Sequence, residues 1–167
     1  SDLHRMGFAR KRIQISTVAP SPAQILELEG LRCGLVWSVH SASDFLRRQL
    51  VPTSRYSMVE LRNAFAQLLR SGNGPDRFMV AVVMIAGVND TAQHACELAE
   101  FLRPLYDDPA IFLSVNLIPY NQNPQDDFFA SDEQTIQNFR QRINEVIPSL
   151  AIHIRQTRGA EASAACG

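Results

Sequence analysis

Four short polar clusters in the chain carry groups that could bind a small polar ligand. In chain order they are Ser16-Thr17, Ser38-Val39-His40, Gly87-Val88-Asn89-Asp90 and the stretch from Asn116 to Asn121. Hydroxyl, imidazole and amide groups donate and accept hydrogen bonds, so a set of them on rigid elements can orient one molecule. The simpler interpretation of each cluster taken alone is that it ends a strand or begins a helix.

Each cluster lies at or just after the end of an apolar run with the length of a strand. The predicted strands are Arg12–Ser16, Cys33–His40, Phe78–Ile85, Ile111–Leu117 and Ala151–Arg155. Helical patterns lie between the strands. Two of them cover Ser21–Glu29 and Asp44–Gln49, and a third follows Asp90. The other two begin at Ser57, which forms a capping box with Glu60, and at Ser131, which forms one with Gln134.

Serial strand and helix units predict an α/β fold with about five parallel strands and helices on the outside. The carboxyl ends of parallel strands meet at one edge, which is where such folds bind ligands, so the four clusters should meet there. A complete eight-stranded barrel needs about 200 residues or more. The 167 residues therefore predict either a small open sheet or a piece of a barrel.

Composition limits the class of protein without defining its function. The chain is 46% hydrophobic and 20% charged, as in ordinary globular domains, and its apolar runs are too short to cross a membrane. A net charge of -1 gives no overall attraction to RNA. Cys33, Cys96 and Cys166 are too few and too far apart for a disulfide scaffold, which favours a reducing compartment such as the cytoplasm, an organelle remaining open. We expect Cys33 and Cys96 to be small core residues without chemistry.

Taken together and in order, the clusters resemble the radical S-adenosylmethionine (SAM) methyltransferases that modify carbon 2 of an adenine in ribosomal and transfer RNA. The matching stretches run from residue 10 to the end, and the most specific are Asn116-Leu117-Ile118-Pro119-Tyr120-Asn121 and Thr157-Arg158-Gly159 followed by Ala164-Ala165-Cys166-Gly167. The weaker matches are Ile15-Ser16-Thr17, Ser38-Val39-His40, Leu50-Val51-Pro52 and Gly87-Val88-Asn89-Asp90.

The resemblance implies a partial (β/α) barrel, of which this chain is the C-terminal half, that holds SAM at its strand ends. By motif, Ser16, Ser38, Val39, His40 and Asn121 would line the SAM site, and ribosomal or transfer RNA would be the substrate. It also implies that Cys166 accepts a methyl group from one SAM, before a radical derived from a second SAM activates that methyl group for attack on adenine. Taken alone, His40 would be a structural histidine and Cys166 an inert thiol.

The family also requires a [4Fe-4S] cluster bound by a Cys-x3-Cys-x2-Cys run, and this sequence contains no such run. No metal ligand is therefore assigned within the chain. We expect residues 1–167 to be the C-terminal part of a longer enzyme, with residues 1–11 as a linker or extended lead-in, an N-terminal half that supplies the cluster, and no membrane partner. An isolated half barrel would also leave its outer strand edges open, which favours self-association.

Three departures from the family pattern keep a second function open. Ala19 stands where a glycine is usual, Ala81-Val82 replaces a Glu-Tyr pair, and residues 161–163 replace an Asp-Ile-Asp. The chain could then be a degenerate barrel fragment that acts as an RNA-associated or interaction scaffold. An unrelated phosphate-binding α/β domain is a third interpretation, which the lack of a glycine-rich loop after any strand disfavours.

Overall fold

Five parallel strands form one sheet in the computed structural model, which describes residues 13–75 and 77–155. The strands are β1 Gln14–Thr17, β2 Gly34–Ser38, β3 Arg77–Met84, β4 Leu113–Pro119 and β5 Ala151–Ile154. They lie in the order β1-β2-β3-β4-β5, and each neighbouring pair is parallel. Each strand thus lies beside the one that precedes it in the chain, as in (β/α) barrels.

Five helices in the described residues form the connections between these strands. They are α1 Pro22–Leu26, α2 Asp44–Leu50, α3 Met58–Arg70, α4 Ala92–Tyr106 and α5 Glu133–Val146. The predicted capping box of α3 is confirmed, since Ser57 and Glu60 each bond the other's backbone N–H. The predicted α/β class is likewise confirmed.

Two helix starts differ from the prediction by one residue. Thr91 caps α4 and Asp132 caps α5, in place of Asp90 and Ser131. The Ser131 hydroxyl instead donates to the Asp90 carboxylate at 2.8 Å, across 41 residues of sequence. A long-range contact therefore uses the two side chains that the local pattern assigned to capping.

The helices pack against one face of the sheet. Alternate strand residues enter the main hydrophobic cluster, among them Trp37, Val80 and Val115. The rings of Trp37 and Phe65, a residue of α3, lie 4.5 Å apart. Since strand side chains alternate between faces, the residues between these point to the other face, which none of the five described helices covers. This agrees with the predicted outside position of the helices.

The uncovered face carries a row of small and polar residues across the sheet. Ser38 pairs in register with Ala81, Ala81 with Asn116, and Asn116 with His153. This face corresponds to the interior of a barrel.

The two cysteines in the described residues differ in environment. Cys33 is buried, as predicted, but Cys96 is exposed on α4, so its predicted place in the core is wrong. Cys96 follows the buried Ala95, and one step along a helix turns the side chain by about 100° away from the apolar stripe.

Candidate functional site

Two serines meet at the carboxyl ends of the first two strands. Ser16 is the penultimate residue of β1 and Ser38 is the last residue of β2, and their hydroxyl oxygens lie 3.3 Å apart. Because Ser38 is only partly buried and Ser16 is exposed, both hydroxyls remain open to a ligand. Sequence reasoning predicted both residues, and the structure brings them together.

His40 follows this pair in a left-handed backbone conformation, with φ of +59°. Its Nδ1 accepts a hydrogen bond from the backbone N–H of Val83 at 3.2 Å. A nitrogen that accepts from an N–H carries no proton, so the neutral ring has its hydrogen on Nε2. Burial, together with the positive charge of Arg47, lowers the pKa of His40 to about 4. At neutral pH His40 therefore offers a single N–H donor to a ligand.

Val39 lies between these groups, and its side chain is fully buried in the core. Its backbone N–H donates to the carbonyl of Ala81 at 2.9 Å, and its carbonyl accepts from the N–H of Ser41 at 2.7 Å. Val39 thus fixes the turn between Ser38 and His40, and its apolar side chain points away from the open face.

Asn89 holds the carboxyl ends of β2 and β3 together. Its side-chain amide donates to the carbonyl of His40 at 2.8 Å and to that of Val83 at 2.7 Å. Its Oδ1 accepts from the backbone N–H of Ile85 at 2.9 Å. The residue is 1% exposed, and its bond to Ile85 is buried while the other two are partly buried. Sequence reasoning noted Asn89 only as part of a turn motif and missed this role.

Arg47 of α2 joins the same edge from the side of β1. Its side chain is 1% exposed, and Nη2 donates to the carbonyl of Val18 at 2.6 Å. Nε and Nη1 have no hydrogen-bond partner among the described residues. Burial lowers the pKa of Arg47 to about 10, which leaves it charged at neutral pH. Sequence reasoning missed Arg47, which lies in a short helical turn of mixed polar and apolar residues.

Asn121 and Cys166 are the two predicted site residues that the structure does not join to this group. Asn121 is exposed two residues after β4. It therefore lies at the same edge of the sheet, but no hydrogen bond links it to Ser16, Ser38 or His40 in the described part of the chain. Cys166 lies outside the described residues.

The described residues contain neither a metal-ligand group nor a helix that could span a membrane. Within residues 13–75 and 77–155, no group of three His, Cys, Asp or Glu side chains could hold a metal ion. No helix in these ranges is long and apolar enough to cross a membrane. The arrangement offers hydroxyls, an N–H donor and a buried cation, which suit a polar organic ligand.

The fold defines an open α/β sheet of the barrel type, with the candidate site at its strand ends. Similarity to known proteins is more specific, although no family model matches the chain. The dual-specificity RNA methyltransferase RlmN of Ruthia magnifica is 32% identical over 96% of this chain and 43% of its own length. That of Dichelobacter nodosus is 34% identical over 96% of this chain and 42% of its own length.

Solved structures agree with these sequence matches. A radical SAM methyltransferase from Sphaerobacter thermophilus matches 97% of this chain and 45% of its own, with 34% identity and a TM-score of 0.77. A domain of pyruvate-formate lyase-activating enzyme from Bacteroides vulgatus matches 92% of this chain and 84% of its own, with 17% identity and a TM-score of 0.65. The second likeness supports the fold alone.

The predicted resemblance is therefore confirmed: over the part that it spans, the chain is a homologue of the dual-specificity RNA methyltransferases named RlmN and of a solved radical SAM methyltransferase. The chain spans less than half the length of these relatives.

Proposed function

We propose that this chain is the SAM-binding C-terminal part of a radical SAM enzyme that methylates carbon 2 of an adenine in ribosomal or transfer RNA. The proposed SAM ligands are Ser16, Ser38, Val39, His40 and Asn121. The observation that supports this proposal best is the pair of serine hydroxyls 3.3 Å apart, next to a histidine whose free nitrogen is a donor.

The chemistry of these groups fits SAM. Each serine hydroxyl can donate to one oxygen and accept from another, which suits the adjacent hydroxyls of a ribose. The Nε2–H of His40 can donate to a ribose oxygen or a ring nitrogen. Val39 contributes by holding the turn through its backbone, and Asn121 lies where an amide could reach the ligand from β4.

The iron–sulfur cluster does not fit the cysteines of this sequence, because the three thiols at positions 33, 96 and 166 have no Cys-x3-Cys-x2-Cys spacing. We propose that its ligands belong to the part of a longer enzyme that corresponds to the rest of the relatives' length. Such a cluster would supply an electron that cleaves SAM. The cleavage would yield the radical that activates the methyl group.

Cys166 would carry the methyl group between SAM and RNA. Its thiolate would attack the methyl carbon on the sulfonium of SAM, forming S-methylcysteine and releasing S-adenosylhomocysteine. Thiolate suits this step because it is the strongest nucleophile among the ordinary side chains.

Calorimetric titration of the chain with SAM tests the ligand set. We expect Ser38→Ala to weaken SAM binding about tenfold, the effect of losing one hydrogen bond of about 1.4 kcal/mol. Ser114→Ala is the matched control, since Ser114 is a half-buried serine in the same sheet, next to Met79 near the amino end of β3. Equal SAM affinity in the wild type and Ser38→Ala would contradict the assigned site.

The role of Cys166 has a separate test in the full-length enzyme that contains this chain. We expect mass spectrometry to find a methyl group on Cys166 after incubation with SAM, and Cys166→Ala to lose RNA methylation. The Cys166→Ala enzyme should still bind SAM. Undiminished methylation by this variant would exclude the proposed mechanism.

The degenerate scaffold is the second candidate, supported by Ala19 and Ala81. Ala19 has φ of +55°, a conformation that suits the glycine usual in the family. Ala81 is buried in the row between Ser38 and Asn116, where it provides no carboxylate. RNA binding without methylation by the cluster-loaded full-length enzyme would favour this scaffold over the enzyme.

A further inference from the structure

We propose that an exposed surface around α2 contacts the RNA and stacks against unpaired bases, an inference that rests on the proposed function. Seven large hydrophobic side chains are exposed in the described residues, and four of them lie in the loops and helix starts around this one short helix. These four are Val18, Phe45, Tyr56 and Val59, and Phe45 is 73% exposed. We call them, with Arg48 and Arg55, the α2 surface.

Two partly buried hydrogen bonds join neighbouring segments of the chain to α2. Arg47 of α2 donates to the carbonyl of Val18, at 2.6 Å. The backbone N–H of Met58 donates to the carboxylate of Asp44 at 2.6 Å, which joins the start of α3 to the start of α2. The loop after β1 and the first turn of α3 therefore both lie next to α2.

This patch lies at the edge of the sheet that carries the candidate SAM site. Val18 directly follows β1, and α2 begins six residues after β2 ends. Ser16, Ser38 and His40 come from the same strand ends. A base removed from its stack and placed at that edge would leave its neighbouring nucleotides next to α2.

The charges of the α2 surface favour a polyanion. Arg48 and Arg55 are exposed, and neither has an ion pair or hydrogen bond among the described residues. Phe45 and Arg48 are three residues apart on a helix and so share one side of it. Asp44 and Glu60 accept hydrogen bonds from the backbone N–H groups of Met58 and Ser57 and keep their charges. Residues 41–60 therefore carry three arginines, at 47, 48 and 55, against two carboxylates, which leaves an excess of one positive charge. Aromatic rings beside unpaired arginines are typical of proteins that bind single-stranded nucleic acid.

The other exposed aromatic residues lack this combination. Phe128 and Phe129 follow Asp126 and Asp127, whose charges would repel phosphate groups. Phe112 is exposed just before β4, at the opposite end of the sheet. The α2 surface is therefore the aromatic patch in the described residues with the charge and position for RNA.

Fluorescence anisotropy of the 167-residue chain with a short, adenine-containing single-stranded RNA tests the proposal. We expect Phe45→Ala to weaken RNA binding at least fivefold, which is the lower end for the loss of one stacked base. The double variant Arg48→Gln/Arg55→Gln should lower the slope of log affinity against log salt by about 1.4, since each phosphate contact in single strands contributes about 0.7.

Matched controls lie away from the α2 surface. Phe112→Ala removes an equally exposed ring, and Arg140→Gln removes an exposed charge on α5, so neither should change RNA affinity. Circular dichroism confirms that each variant folds. Loss of RNA binding in the controls as large as in the α2 variants would overturn the proposal, as would unchanged binding in the α2 variants or no binding by the wild type.

A SAM titration of the same variants separates this proposal from the proposed function. We expect Phe45→Ala and the double arginine variant to bind SAM as the wild type does. Failure of the wild type to bind SAM, with RNA binding still dependent on Phe45, would reject the SAM site and keep the RNA surface. Association with a protein partner that depends on Phe45, with RNA binding unaffected, would reject the RNA surface.

Discussion

The carboxyl and amino ends of the sheet are built from different kinds of contact. At the carboxyl end, polar side chains bind the backbone: Asn89 makes three hydrogen bonds, and His40 and Arg47 make one each. At the amino end lies a cavity of about 480 Å³ whose lining is largely apolar and includes Leu35 and Phe78.

This difference separates the cavity from the candidate site, which lie at opposite ends of the sheet. None of the predicted site residues within residues 13–75 and 77–155 lines the cavity at the amino end. At the carboxyl end, Asn89 binds backbone groups that would otherwise lack a partner. These hydrogen bonds hold the polar groups of this end in fixed directions. Orientation of this kind gives a site specificity for a polar ligand.

We expect the largest change in the free energy of unfolding from Asn89→Leu, at the carboxyl end. Leucine has a similar volume but leaves the carbonyls of His40 and Val83 and the N–H of Ile85 unsatisfied in the interior. We expect the free energy of unfolding, measured in urea, to fall by about 3–5 kcal/mol. Asn138→Leu, at an exposed position on α5, should cost less than about 0.5 kcal/mol. Similar losses in the two variants would mean that the carboxyl end has no special rigidity.

The second expected effect is a pH dependence that arises from His40. Its pKa is about 4 in the folded chain and 6.5 as a free side chain, so the unfolded state binds the proton more tightly. The contribution of His40 to the free energy of unfolding is therefore fully present above pH 6.5 and is lost as the pH falls to about 4. The change is about 3 kcal/mol.

Urea unfolding of the wild type and His40→Gln across pH 4–7 measures this contribution. The difference in unfolding free energy between the two should grow by about 3 kcal/mol as the pH rises through this window. His153→Gln is the control, because His153 is exposed on β5. A pH profile unchanged by His40→Gln would show that the imidazole is not buried against Val83.

The smallest expected effects come from one glycine at each end. Gly87, after β3, has φ of +70°, so Gly87→Ala should lower the unfolding free energy by about 1 kcal/mol through backbone strain. Gly34, at the start of β2, lies in extended backbone with space for a Cβ 3.6 Å from Gln14. Gly34→Ala should raise stability by about 0.5 kcal/mol. Thermal melts that show the same sign for both variants would contradict the contrast between the ends.

Local sequence patterns predicted the elements of this fold better than its site. The capping box of Ser57 and Glu60 needs only four consecutive residues, and the structure contains it. Asp90 and Ser131 carried equally good local signals, but they bind each other across the fold. A pattern within one segment contains no information about such a partner.

The same limit explains which site residues were found. Ser16, Ser38 and His40 end predicted strands, so the rule that strand ends bind ligands was enough to place them at one edge. Arg47 and Asn89 act through the carbonyls of Val18, Val83 and His40, the farthest of them 49 residues away in the chain. Their roles depend on the assembled sheet, and their residue types alone fit a helix or a turn equally well.

The consecutive strand order also bears on how the chain folds during its synthesis. A ribosome releases the chain from the N-terminus, and β2 through β5 each pair with the strand released just before. No strand has to wait for a later segment to be inserted between it and its neighbour. The sheet can therefore grow in the direction of translation, with each new strand added to the edge that the strand before it provides.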